Sequence, residues 1–261
     1  MHSVRQGSGE PLLLVHGLGS THHTWDLVLP ALAAEREVVA VELPGFGETP
    51  PLSTEVTIAA LTDAVEEFVD AEGLTDVDIV GSSMGARIVL EMARRGHRGT
   101  VVALDPGGFW TDGEVTFFNA SIRASTALLR VLGPALPAIT RSAVGRTALL
   151  AQFSAHPWRL PADLVRTELE GFIASASFDD ALTSLVHGPR QAGAPAGTLS
   201  CRVVIGWGRQ DRVTPPRQAH RAIELFPDAT LHWFDSCGHF PTWDQPAQAA
   251  SLILDAIGHP A

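Results

Sequence analysis

Short runs of apolar residues alternate along the chain with longer stretches whose apolar positions recur at helical spacing. The first run is Leu12–Val15, ending at His16-Gly17. Others follow at Val38–Val41, Val77–Val80, Val101–Leu104, Val203–Ile205 and Leu231–Phe234. These runs lack strict apolar–polar alternation, as strands covered by helices on both faces do. Residues 54–72 gather Val56, Ala59, Ala60, Ala64, Val65, Phe68 and Val69 on one helical face and leave Glu66, Glu67 and Asp70 for water. Residues 84–95 and 246–257 read as further helices, and Thr214 ahead of Pro215 predicts the N-cap of a helix reaching about Phe226. Strands alternating with crossover helices predict an α/β fold built on a mostly parallel, doubly wound sheet.

Residues 110–198 break this rhythm. They hold no convincing strand but four amphipathic segments, over about 121–132, 138–152, 161–175 and 179–187, punctuated by proline and glycine. The pattern predicts a helical cap over 110–198, inserted into a core formed by 1–109 and 199–261. A chain of 261 residues with 45% hydrophobic and 18% charged positions suits one folded domain carrying such an insertion.

Charge and cysteine content narrow the partners. The net charge is 18 − 29 = −11, and the seven Arg and seven acidic residues of 110–198 cancel, so the excess lies on the core. A strongly acidic chain repels phosphate backbones, so nucleic acid is not expected as a partner. No apolar run approaches the roughly 20 residues of a membrane helix, and no leader pattern opens the chain. Cys201 and Cys237 are the only cysteines, outside any C-x-x-C spacing. A soluble, cytoplasmic protein is the expectation.

Gly81-Ser82-Ser83-Met84-Gly85 matches G-x-S-x-G. A serine on a very tight strand-to-helix turn occupies a strained backbone conformation, which demands small residues two before and two after it. Its Oγ then stands clear of the sheet, and the following helix turns its positive end toward developing negative charge. Composition alone yields such a match roughly once in eight chains of this kind. The position between an apolar strand and a helix bearing Ala86, Ile88, Val89 and Met92 on its inner face is what gives the match weight. Ser82 lacks the glycine spacing and is the weaker nucleophile.

With this motif the chain resembles the α/β-hydrolase superfamily, in its capped esterase- and lipase-like branch, from Leu12 to Ile257. His16-Gly17-Leu18-Gly19 resembles the family's oxyanion loop. Pro44-Gly45-Phe46-Gly47 resembles the glycine-rich turn that follows, with Glu42 where Asp is commoner. The segment Gly206–Pro215 resembles the one carrying the acid, and Gly238–Pro246 the one carrying the histidine. The resemblance implies Ser83, Asp211 and His239 as catalytic residues, in the chain order expected of the fold. It also implies the backbone N–H groups of Leu18 and Met84 as the oxyanion hole. Asp105, at the end of the strand before the cap, competes with Asp211 for the role of acid. His16 is expected to support the oxyanion loop. His22 and His23 line the pocket or face water, with water favoured. Cys237 is a buried thiol or a reactive one, and Arg87 is expected to face a carboxylate on its helix. The family's leading antiparallel strands must be shortened or missing, because the first strong run starts within about a dozen residues.

Gly17, Trp110 and Phe240 are expected to bind substrate. Phe109 and the apolar residues of 110–198, including Trp110, Phe117, Phe118, Leu128, Val131, Trp158 and Phe172, either pack the cap itself or face the cleft. The expected substrate is a small or medium apolar ester, lactone or thioester. A carbon–carbon bond hydrolase, a cofactor-free lyase, a perhydrolase and a ligand receptor stay open on the same residues. The sequence carries no dinucleotide fingerprint, phosphate loop or HExxH cluster, so neither cofactor nor metal is expected.

Overall fold

The apolar runs become strands because both their faces are covered. Leu12, Leu13, Leu14 and Val15 expose no surface at all. The computed structural model describes residues 1–258. One sheet contains β1 (Ser3–Gln6), β2 (Pro11–Val15), β3 (Glu37–Val41), β4 (Asp78–Ser82), β5 (Val101–Leu104), β6 (Val203–Gly208) and β7 (Thr230–Phe234). The order across it is β1-β3-β2-β4-β5-β6-β7. All pairings are parallel except β1 with β3, where Ser3 lies opposite Val41. The leading antiparallel strands are thus represented by β1.

Successive strand residues feed two cores. Leu13, Val15, Ile79, Ala103 and Ile205 point to the face covered by α2 (Ile58–Ala71), α3 (Met84–Arg94) and α9 (Arg217–Leu225). Leu12, Leu14, Val80, Val102 and Val204 point to the other, covered by α1 (Leu29–Ala33) and α11 (Pro246–Ile257). This is the doubly wound arrangement that uninterrupted apolar strands call for.

Between β5 and β6 lie α4 (Asp112–Leu132), α5 (Leu136–Ile139), α6 (Ala143–Leu150), α7 (Ala162–Ala174) and α8 (Phe178–His187). A third apolar cluster joins Leu129, Leu136, Leu150, Leu164, Val165 and Leu169 to Trp243 on α10 (Pro241–Asp244). That contact fastens the helical segment over the carboxyl ends of the strands. Helix α4 begins at Asp112 rather than near 121, because Thr111 and Glu114 close a capping box that the periodicity reading passed over. The stretch expected as one helix over 138–152 is two, since Ser142 caps α6 by accepting from the Gly145 N–H at 2.8 Å. Strand β6 runs on through Gly206 to Gly208, beyond its expected end at Ile205. Among the described residues no helix is long and apolar enough to cross a membrane.

Candidate active site

Ser83 joins β4 to α3 with φ 55° and ψ −110°, a region that L residues rarely enter. The two glycines of the motif have visible causes. A β-carbon at Gly81 would lie 2.3 Å from the Gly85 carbonyl oxygen, and one at Gly85 would lie 2.2 Å from that of Val15. Only bare backbone lets the turn close this tightly. The His16–Gly19 loop passes directly behind: a β-carbon on Gly17 would stand 3.0 Å from the Ser83 Cβ. His16 holds that loop, donating from Nδ1 to the Gly17 carbonyl (2.7 Å) and accepting at Nε2 from the Leu43 N–H (3.0 Å). Burial pushes its pKa down to about 4, so it is a neutral brace.

His239 arrives on the loop after β7. Gly208 lets that loop come close, since a β-carbon there would strike the Gly238 carbonyl oxygen at 1.9 Å. The His239 N–H donates to the Phe153 carbonyl (2.7 Å), and Asp244 accepts from the Gly238 N–H (2.7 Å). The imidazole Nε2 lies 2.8 Å from Ser83 Oγ, and Nδ1 lies 2.8 Å from Asp211 Oδ2. With a carboxylate on Nδ1, the proton of the neutral ring belongs on that nitrogen, which leaves Nε2 to accept from Ser83.

Asp211 is buried and saturated with donors. Its Oδ1 accepts from the N–H groups of Val213 (2.7 Å) and Thr214 (3.0 Å), and its Oδ2 from the Thr214 hydroxyl (2.6 Å). Burial alone would raise its pKa; the His239 ring and these bonds outweigh that and hold it below the ordinary range. Thr214 therefore serves Asp211 and does not cap the next helix, which starts only at Arg217. The sequence contained the signal, a hydroxyl three residues after the acid, but Pro215 drew the reading to a helix start.

Asp105 sits beside this array, its Oδ1 accepting from the Gly208 N–H at 2.8 Å. Full burial and the neighbouring Asp211 charge drive its pKa well above the carboxylate range. Its surroundings favour the neutral acid, whereas those of Asp211 favour the carboxylate facing His239. Cys237 is fully buried, and burial above all, with the negative charge of the neighbouring acids, pushes its thiol upward, away from reactivity.

Ser83 and His239 open onto a cavity roofed by the helical segment. Leu18, Met84, Trp110, Phe118, Ile122, Phe153, Leu169, Phe172, Phe240 and Trp243 line it. Trp110 and Phe240 thus lie where substrate binding was expected. Gly17 does not reach the wall, because its Cα is packed behind Ser83. Phe118 and Phe172 face inward, whereas Phe117, Leu128, Val131 and Trp158 are exposed. One acid interrupts this apolar lining, Glu168 of α7. It falls between Val165 and Phe172 on the helix's apolar face, a spacing that marks it in the sequence although the periodicity reading did not single it out.

One expectation changes. The Arg87 guanidinium is buried and donates to the Pro189 carbonyl, while Glu91 is taken by Arg94 and Arg95. Burial lowers the Arg87 pKa to about 10, and Glu91 on the same helix still acts on it through charge, although the hydrogen bond of the guanidinium goes to Pro189. Neither His22 nor His23 reaches the cavity lining: His22 pairs with the buried Glu42 (2.7 Å), and the more exposed His23 with Asp26. Glu42 keeps the turn role expected of Asp, accepting from the Glu48 N–H at 2.6 Å. Two groups among the described residues bring potential metal-ligand atoms within 4.8 Å, namely His2, His22 and Glu42, and Asp105, Asp211 and His239. In the first, His22 and Glu42 already pair with each other, and in the second His239 already pairs with Asp211.

The family model described as "Alpha/beta hydrolase family" matches residues 12–252. An uncharacterized protein of Mycobacterium bovis is 30% identical over 263 residues, covering 95% of this chain and 75% of that one. A 2-hydroxy-6-oxononadienedioate/2-hydroxy-6-oxononatrienedioate hydrolase of Pseudomonas putida is 26% identical, covering 99% and 92%. Among solved structures, the enol-lactonase from Burkholderia xenovorans LB400 superposes with a TM-score of 0.79 at 16% identity, covering 99% and 96%. The chain belongs to the alpha/beta hydrolase family.

Proposed function

We propose that this hydrolase cleaves an ester, lactone or thioester of small to medium, uncharged and mainly apolar character, through an acyl-enzyme on Ser83. The observation that carries the reading is the continuous array Ser83 Oγ, His239, Asp211, with 2.8 Å at each step, opening on an apolar cavity. A serine hydroxyl is a weak nucleophile until a neutral imidazole takes its proton as it attacks. His239 Nε2 accepts that proton while Oγ bonds to the carbonyl carbon. Asp211 stabilises the imidazolium so formed and fixes the ring's tautomer. The N–H groups of Met84, at the first position of α3, and of Leu18, on the loop braced by His16, receive the oxyanion. His239 then returns the proton to the departing alkoxide or thiolate. Water, deprotonated by the same nitrogen, releases the acid and restores Ser83. Residues 110–198 act as the cap that excludes bulk water and shapes the pocket.

A second reading is favoured by one specific observation. Several relatives, including the Pseudomonas putida protein and a 2-hydroxy-6-oxo-6-phenylhexa-2,4-dienoate hydrolase of Burkholderia cepacia, bear names of dienoate or dienedioate hydrolases. Dienoates are anions, and a buried anion needs a positive partner. Here the ionisable lining residues are His239 and Glu168. No Arg or Lys is among the described lining residues, so nothing there compensates a buried carboxylate, which supports the neutral ester. The test combines fluorophosphonate labelling with a panel of aryl esters, lactones and meta-cleavage dienoates. Labelling lost in Ser83→Ala, with turnover of esters above dienoates, is the expected result. Turnover confined to the dienoates overturns the ester reading.

A further inference from the structure

Among the described residues Glu168 is the one acid in the cavity wall, and the proposed reaction leaves it without a task. Only 7% of its surface is exposed, and it stands in the same cavity as Ser83 and His239. Its Oε2 lies 2.7 Å from Ser20 Oγ, whereas Oε1 is buried with no hydrogen-bond partner among the described residues. A buried polar atom left in this state costs free energy, so a native protein that keeps one invites an explanation.

The hydrogen-bond inventory fixes what Oε1 can do. Ser20 has one hydroxyl proton, and its alternative acceptor, the Thr21 carbonyl, lies at 3.4 Å against 2.7 Å for Glu168. Ser20 therefore donates to Oε2. Burial raises the Glu168 pKa to about 8; Asp26 adds to the rise and the Ser20 bond opposes it. In a neutral carboxyl whose Oε2 already accepts, the proton resides on Oε1, and Oε1 is a donor lacking an acceptor. Helix α7 packs over the oxyanion loop, since a β-carbon on Gly19 would lie 2.3 Å from the Phe172 ring. The donor is thereby held on the same side of the cavity as the loop carrying Leu18 and Ser20.

We infer that Glu168 forms a hydrogen-bond-donating subsite that selects esters carrying a second acceptor oxygen, a ketone or ether, a few bonds from the scissile carbonyl. This rests on the ester reading and adds to it: the pocket takes oxo- or alkoxy-substituted acyl chains in preference to plain alkyl ones. Donors are few in this apolar wall, and besides Glu168 the indole N–H of Trp110 also lacks an acceptor among the described residues; a donor on α7 gives orientation as well as affinity by drawing the chain's oxygen toward that helix.

The test is binding, read separately from turnover. In Ser83→Ala, isothermal titration calorimetry gives the dissociation constants of ethyl pentanoate against ethyl 4-oxopentanoate, and of ethyl hexanoate against ethyl 5-oxohexanoate. The ratio within each pair cancels general hydrophobicity. Adding Glu168→Leu is expected to shift at least one ratio against the oxo ester by roughly three- to tenfold, the worth of one net hydrogen bond. Adding Glu168→Gln, whose amide can also donate, is expected to keep the ratio. Ratios that stay unchanged in Glu168→Leu, or fall equally in both variants, overturn the subsite. Fluorophosphonate labelling of wild-type Ser83 judges the hydrolase reading by itself, so the two can fail independently.

Discussion

The cavity has two walls of different construction. The sheet-side wall is made of strand ends and the tight turns that leave them, and Gly81 and Gly85 there face carbonyl oxygens that a β-carbon would strike at 2.3 and 2.2 Å. The helical wall is made of side chains on α4 and α7, spaced a helical turn apart. On α7, Gly171 has nothing nearer to a would-be β-carbon than Thr21 Cγ2 at 3.6 Å. The sheet side holds reacting groups in place through backbone that tolerates no alternative. The helical side offers a replaceable surface. Chemistry that needs fixed distances belongs on the first, and selectivity on the second.

The largest expected effects come from the sheet side. Ser83→Ala should lower kcat/KM on an aryl ester by about 10⁴-fold or more, and Asp211→Asn by about 10³- to 10⁴-fold. Asp105→Asn tests whether burial alone makes a member of this array. Asp105 is held neutral and accepts only the Gly208 N–H, a bond an amide oxygen can replace. The loss there should stay below about tenfold. If Asp105→Asn costs as much as Asp211→Asn, the two acids share the role, and the assignment to Asp211 alone fails.

Gly85→Ala tests the same wall through stability. A methyl group 2.2 Å from the Val15 carbonyl oxygen and 2.4 Å from that of His16 has only backbone to push against. The expected cost is about 3 kcal/mol, seen as a fall in the thermal midpoint by circular dichroism. A variant melting with wild type would mean that the turn relaxes freely, which removes the steric reason given for the motif.

This asymmetry also decides what the sequence could disclose. The turn around Ser83 and the approach of the His239 loop are written as glycines at fixed offsets, because the collisions they avoid are with backbone, which no side-chain rearrangement relieves. The strands were legible because burial on both faces leaves an uninterrupted apolar run. On the helical side, apolar spacing located α7 and α8 to within a residue or so. It could not say that Phe118 turns inward while Phe117 is 62% exposed, because that depends on which partner the helix meets. Glu168 was a break in an apolar face, and only the fold shows that this face meets the cavity. Thr214 was misread for a related reason: a hydroxyl before proline suits a helix cap and a carboxylate equally, and Asp211 took it.

Glu168 also makes the helical wall sensitive to pH, with a definite sign. In the folded chain its pKa is near 8, against an ordinary value of 4.5. Between those values the unfolded chain has released a proton that the folded one retains, so this group's contribution to stability declines as pH rises. Glu168→Gln removes that slope. Its thermal midpoint, taken relative to wild type, should climb between pH 5 and pH 8. An offset that stays constant across this range would show that Glu168 ionises in the fold as it does in water, and the neutral-donor argument would lose its support.

Gly171→Ala is the smallest change and bears most directly on the comparison. Gly171 lies inside α7, where glycine costs about 0.5–1 kcal/mol relative to alanine through the entropy of the unfolded chain. Its carbonyl accepts from the Ser175 N–H (3.0 Å) and hydroxyl (2.8 Å), bonds that a methyl on Cα does not disturb. The nearest atoms, Thr21 Cγ2 at 3.6 Å and the Gly19 carbonyl oxygen at 3.9 Å, are at ordinary contact distance. The same substitution that breaks the sheet-side turn at Gly85 should here raise the thermal midpoint by about 1–4 °C. A fall instead would place α7 under the same backbone constraint as the turn, and the helical wall would no longer be the part of the cavity free to vary.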